Sequence, residues 1–128
     1  MKLLLDTHIF LWYISGDSRL DAGLQSEIQS STNEVFLSVA SVWEAVIKYD
    51  LGKLPLPRRP EEYLPLQRDG HGMASLPIEE GAMQHLASLP QLHRDPFDRV
   101  MIAQSLQYDM TLVTLDANIR GYPIKLLP

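Results

Sequence analysis

A chain of 128 residues, 45% hydrophobic and 21% charged, has room for one domain with one sizeable core, and its composition is neither disordered nor fibrous. It contains no cysteine, which excludes disulfide frameworks, thiolate zinc sites and cysteine nucleophiles. A net charge of −5 argues against a protein that coats nucleic acid with a broad basic face, while leaving room for an enzyme that gathers carboxylates around a metal.

Lys2–Leu5 is a short apolar run ending at a carboxylate, the pattern of a buried parallel strand. Together with the following IFLWYI it could pass for a secretion signal. Asp6 and His8 interrupt it, however, and no small-residue cleavage site follows Gly16, so a cytoplasmic location is expected. No stretch reaches the ~18 uninterrupted apolar residues of a membrane helix, so no membrane partner is expected. His8–Ile14 begins a helix that Gly16–Asp17 breaks, and Leu20–Ser30 places Leu20, Leu24 and Ile28 on one helical face. Glu34–Ser38 reads as a second strand. Ala40–Leu51 is helical, with Val39, Val42, Val46 and Ile47 near helical spacing and Gly52 as its stop.

Pro55, Pro57, Pro60 and Pro65 make Leu54–Pro65 a loop, running into a short helix at Glu61–Arg68. Met73–Leu76 is a short strand and Ile78–Leu89 a helix. Pro96–Tyr108 is the clearest helix, with a start signal at Asp95 and an apolar middle. Thr111–Leu115 is a β-rich run ending at Asp116, and Ile124–Leu127 is a last edge strand. Strands alternating with helices imply an α/β fold whose parallel sheet is covered on both faces, with residues 1–128 as a single domain.

In such sheets ligands bind beyond the carboxyl ends of the strands, where Asp6 and Asp116 fall. Either could instead cap the helix or turn that follows it. Glu44 lies inside an apolar helical stretch, as part of a solvated face or near the edge of the buried one. In HRDPFDRV, Asp95 reads as an N-cap and Asp98 as the acidic partner of a capping box, or as a carboxylate aimed at the same sheet edge. Three or four carboxylates without cysteine suit hard divalent cations, Mg²⁺ or Mn²⁺, and phosphoryl chemistry is their usual use. The four histidines (His8, His71, His85 and His93) lack paired ligand spacing and read as structural or surface groups, while Trp12 and Trp43 read as core. Arg58, Arg59 and Arg68 are either RNA contacts or solvated charges.

LLLDTHIFLW, SVWEAVIKYDLGKL, LHRDPFDRVMIAQS and LVTLDANI, followed by Tyr122, occur in an order that resembles the PIN-domain ribonucleases, particularly the VapC-like toxins of bacterial toxin–antitoxin pairs. The resemblance covers about Lys2 to Leu127. It implies a three-layer α/β/α PIN-like domain with a four- or five-stranded parallel sheet and an RNA-cleaving site dependent on Mg²⁺ or Mn²⁺. On the matching positions, Asp6, Glu44, Asp98 and Asp116 are its catalytic and metal-binding acids. Thr114 and Thr7 are its supporting hydroxyl residues, and Asp95 is a cap close to the site. It further implies an RNA substrate, an antitoxin partner and a homodimer, the last motivated by the Leu20–Ser30 and Ala40–Leu51 helices. A non-catalytic module whose acidic pocket docks a basic peptide is the alternative. A small-molecule phosphatase fits less well, because Thr7–His8 follows Asp6 where a second acid would be needed.

Overall fold

The computed structural model describes the whole chain, Met1–Pro128. In chain order the elements are β1 (Lys2–Leu5), α1 (Thr7–Ser15), α2 (Ala22–Gln29), β2 (Glu34–Ser38), α3 (Val39–Asp50), α4 (Pro60–Gly70), β3 (Ala74–Leu76), α5 (Ala82–Ser88), α6 (Pro96–Gln107), β4 (Thr111–Val113) and α7 (Ala117–Arg120). The four strands form one parallel sheet in the order β3-β2-β1-β4. No helix is long and apolar enough to cross a membrane.

The sheet is covered on both faces, and the alternation of side chains along each strand divides the core in two. Leu3 and Leu5 of β1, Val35 and Leu37 of β2 and Val113 of β4 pack with Ile9, Phe10, Leu24, Ile28 and Leu64 from α1, α2 and α4. Leu4 and Leu112 face the other way, against Met101 and Ile102 of α6 and Ile119 of α7. Leu3, Leu4 and Leu5 are wholly buried, which is why a central strand needs an unbroken apolar run.

The helix ends follow local chemistry. Gly16 closes α1 in the left-handed conformation, φ 66°, where a Cβ would be strained. Asp95 opens α6, its Oδ1 accepting from the amides of Phe97 at 2.9 Å and Asp98 at 3.0 Å. Helix α4 extends beyond the expected Glu61–Arg68, starting on Pro60 with Glu61 and Glu62 in its first turn.

Several expectations need correction. Helix α5 starts at Ala82, not Ile78, and Gly81 lies so close to Gln107 that a Cβ there would stand 2.5 Å from its Nε2. Strand β4 ends at Val113, and Leu115 is 47% exposed. The last edge strand reduces to one parallel bridge, Leu112 with Leu126, because prolines at 123 and 128 flank it and cannot donate to a ladder. Trp43 is not core. It is 52% exposed and stands edge-on to Phe97 at 4.9 Å, whereas Trp12 packs against the α1 side of the core.

A buried amide ties the carboxyl ends of β2 and β3 to α6. Ser38 Oγ donates to Gln104 Oε1, and Gln104 Nε2 donates to the Pro77 carbonyl at 3.1 Å. Gln104→Leu keeps the volume but strands the Ser38 hydroxyl and the Pro77 carbonyl. It should cost about 1–3 kcal/mol of stability, read as a lower urea midpoint with an unchanged slope.

Candidate active site

The chain runs outward from β1 through β2 to β3 and returns to β4 on the opposite side of β1, so the connections diverge at the carboxyl ends of β1 and β4. Asp6 follows β1 there, and Thr114 to Asp116 follow β4. Crevices at such switch points are where parallel sheets bind ligands. Asp6 and Asp116 line one together with His8, Ile9, Trp12, Arg19 and Leu115, about 350 Å³ in volume. The largest cleft, about 480 Å³, lies at the other end of the sheet around Ser31, Asn33 and Glu34 and gathers no group of acids.

Asp6 is 4% exposed, and it is the residue before α1, yet its side chain caps nothing. Its Oδ2 instead accepts from Thr114 Oγ1 at 2.8 Å, a bond between the ends of adjacent strands. Asp116 does cap: its Oδ1 takes the Asn118 amide at 2.9 Å, opening the short α7, and its own amide donates to Thr114 Oγ1 at 3.1 Å. Thr7 touches neither acid. Its hydroxyl donates to Ser41 Oγ at 2.8 Å, and so joins α1 to α3.

Glu44 is 2% exposed, which rules out the solvated face. Its Oε2 meets Lys48 Nζ at 2.6 Å, one helical turn on, and its Oε1 is buried with no partner at all. Asp98 makes no capping-box bond. Its Oδ2 lies 3.1 Å from His93 Nε2, so His93 is structural, and it holds one of the acids. Arg59 is committed to Glu61 and Asp50, and Arg68 to Asp69. Sequence reasoning missed His93 and Lys48 as neighbours of the acids. The i, i+4 spacing of Glu44 and Lys48 on one helix was the available signal for the second.

The acids feel one another. Burial, resisted by the Thr114 bond and the charge of His8, and reinforced by the charges of Glu44 and Asp116, raises Asp6 above the ordinary carboxylate range. Burial also raises Asp98, to about 7. The His93 bond opposes this, and the charges of Asp95, Asp6 and Glu44 add to it. Burial works against the Lys48 ammonium, but the bond to Glu44 and the charges of Glu44, Asp95 and Asp98 hold it above its usual range.

The donor set fits a hard divalent cation: all oxygens, mutually repelling, with an orphaned buried oxygen on Glu44. No three of the acidic and histidine side chains meet as a ready-made ligand cluster, and Lys48 and His93 each engage one acid.

Fold and site together define a three-layer α/β domain with Asp6 and Asp116 in a crevice at its switch point and Glu44 and Asp98 buried within range of the charge of Asp6. The family model for the PIN domain matches residues 3–125, and the chain belongs to that family. A curated relative, ribonuclease VapC16 of Mycobacterium tuberculosis, is 36% identical over 58 residues, 45% of this chain; the match spans only 41% of that relative's length. A crystal structure of VapBC2 from Rickettsia felis, bound to a DNA fragment from their promoter, shares the fold with a TM-score of 0.73 at 16% identity, over 99% of this chain and 98% of that one. A crystal structure of DNA-bound VapBC from Salmonella typhimurium gives 0.67 at 16% identity, over 99% and 97%. At these identities the likeness is one of fold.

The raised Asp98 value carries a stability consequence. A carboxyl that titrates near 7 when folded and 3.8 when not favours the fold below 3.8, and that contribution is lost as pH rises toward 7. Metal-free Asp98→Asn should therefore gain on the parent protein progressively across that window and hold the gain above it. Urea unfolding in chelator from about pH 4 to about pH 8 measures the difference.

Proposed function

We propose that this chain is a metal-dependent endoribonuclease acting as one PIN domain over residues 1–128, and the toxin of a toxin–antitoxin pair. The observation that carries the reading is the unpartnered buried oxygen of Glu44 within the field of Asp6 and Asp98. PIN family membership supports it, as do the ribonuclease name of the curated relative and the VapBC complexes that share the fold. Asp6, Asp98 and Asp116 are the proposed ligands of Mg²⁺ or Mn²⁺, with Glu44 as a further ligand or as the base that orients the attacking water. A divalent cation bound there supplies Lewis acidity toward the phosphodiester oxygens.

The protein's own groups do the rest. Thr114 holds one oxygen of Asp6, which fixes the orientation of the other. Asp95 anchors the first turn of α6 and with it Asp98. Glu44, once released from Lys48, takes the proton of the water that attacks phosphorus in line. The P–O3′ bond breaks, its electron pair leaves with O3′, which takes a proton from solvent water, and the products are a 3′ hydroxyl and a 5′ phosphate. The setting is the cytoplasm, where RNA is available.

The partners follow from the same surfaces. An arginine from an antitoxin tail would bridge two of the carboxylates bidentately and compete with the metal. A homodimer would use α3, whose Val39, Trp43 and Ile47, with Leu51 at its C-cap, form an exposed stripe at i, i+4 spacing. Helix α2 contributes little to such a contact, because its Leu24 and Ile28 are buried in the core of their own chain.

A mixed RNA pool should be cut in Mg²⁺ or Mn²⁺, spared in chelator, and left with 5′ phosphate ends. Asp6→Asn should slow cleavage by about 10²–10³-fold, the usual cost of losing one electrostatic stabiliser. An intact pool together with tight binding of an arginine-bearing peptide would favour the binding module instead. Trp43→Glu should convert the dimer to a 14.5 kDa particle in light scattering; a parent protein already of that mass would remove the dimer.

A further inference from the structure

Arg99 is buried and forms no ion pair, an arrangement that costs free energy unless hydrogen bonds compensate it. Its Nη1 donates to the Pro90 carbonyl at 3.0 Å and to the Tyr122 hydroxyl oxygen at 2.8 Å. The backbone N–H of His93 approaches the same oxygen at 3.4 Å. Arginine can only donate, so the phenol oxygen is already an acceptor twice over. The Tyr122 O–H must therefore give its own proton elsewhere, and His93 Nδ1 lies 2.8 Å away.

The polarity of the chain follows. With Nδ1 accepting, the proton of the imidazole sits on Nε2, which donates to Asp98 Oδ2 at 3.1 Å. The opposite tautomer would bring a third donor to the Tyr122 oxygen and leave its O–H without an acceptor. Each bond thus runs one way, from a guanidinium that does not lose its proton to the buried acid Asp98. The Tyr122 ring also packs against the imidazole, centroids 5.4 Å apart at 67°, so the pair is held in place as well as bonded.

We propose that Tyr122, with its hydroxyl polarised by Arg99, is a positioning residue that sets the Nε2–H tautomer of His93 and thereby orients the Asp98 carboxylate for a divalent cation. The inference rests on Asp98 being a ligand, as proposed above. It also gives a use to the buried Arg99, whose guanidinium is held by oxygens of Pro90 and Tyr122. Groups that hold a ligating carboxylate typically change metal affinity by 10–100-fold when removed.

Two readouts independent of cleavage test it. Imidazole ¹⁵N NMR of the metal-free protein should show His93 protonated at Nε2, and Tyr122→Phe should release it to a mixture of tautomers. Calorimetric titration with Mn²⁺ should show Tyr122→Phe binding about tenfold more weakly than the parent. In a His93→Gln background, where an amide N–H stands in for Nε2–H and no tautomer exists to be set, the same change should have no further effect. An Nδ1–H tautomer in the parent, an unchanged Mn²⁺ affinity in Tyr122→Phe, or an equal loss in the His93→Gln background would each overturn the relay. Failure of the parent protein itself to bind Mn²⁺ would remove the metal centre and the relay with it. Normal parent binding with an indifferent Tyr122→Phe would remove the relay alone.

Discussion

Burying Asp6, Glu44 and Asp98 within reach of one another's charge sets both lost hydration and mutual repulsion against the fold, and the carboxyl edge of the sheet is organised around that strain. Neither contribution can be relieved by moving the acids apart. Asp6 is fixed by the last hydrogen bond of a central strand, its amide donating to Val113, and Asp98 lies in the first turn of a helix packed on the sheet. The two hydrophobic layers on either face therefore hold the charges together. Stability is given up locally at a site and recovered in the core around it.

Each acid is met by a different kind of donor. A neutral hydroxyl serves Asp6, an ammonium Glu44, an imidazole Asp98 and a backbone amide Asp116. The difference matters chemically. A hydroxyl or an amide steadies a carboxyl group without bringing an opposite charge to it, and Asp6 and Asp116 meet in the crevice they share. Lys48 cancels the charge of Glu44 from a flexible, partly exposed stem that can swing away. The counterpart for Asp98 is the imidazole of His93, just ahead of α6, which is held from behind by Tyr122.

Connectivity converts these local contacts into one site. Because β4 returns to the far side of β1, residues more than a hundred positions apart in the chain stand on adjacent strands, and Thr114 can reach Asp6. Helices α3 and α6 supply Glu44 and Asp98 beside Asp6, and the Thr7–Ser41–Met101 contacts lock α1, α3 and α6 together beneath them. The same packing leaves Trp43 and the rest of its stripe outside, on a face the core does not use.

Local pattern was enough for much of this. Lys2–Leu5 and Glu34–Ser38 are strands at the expected bounds, because burial on both faces demands apolar runs that a linear sequence displays. The Asp95-Pro96 start of α6 was equally legible, since a cap involves residues two or three apart. Asp6 and Asp116 could be placed at strand ends on the same ground. Tertiary structure alone decided what those acids touch. Tyr122 meets His93 and Arg99 across separations of 29 and 23 residues, and Glu44 is buried although its neighbours in sequence allowed either face. Periodicity records which side of an element avoids water. It holds no record of which distant side chain will lie opposite, and for groups whose charge and protonation depend on that neighbour, only the packed chain determines the chemistry.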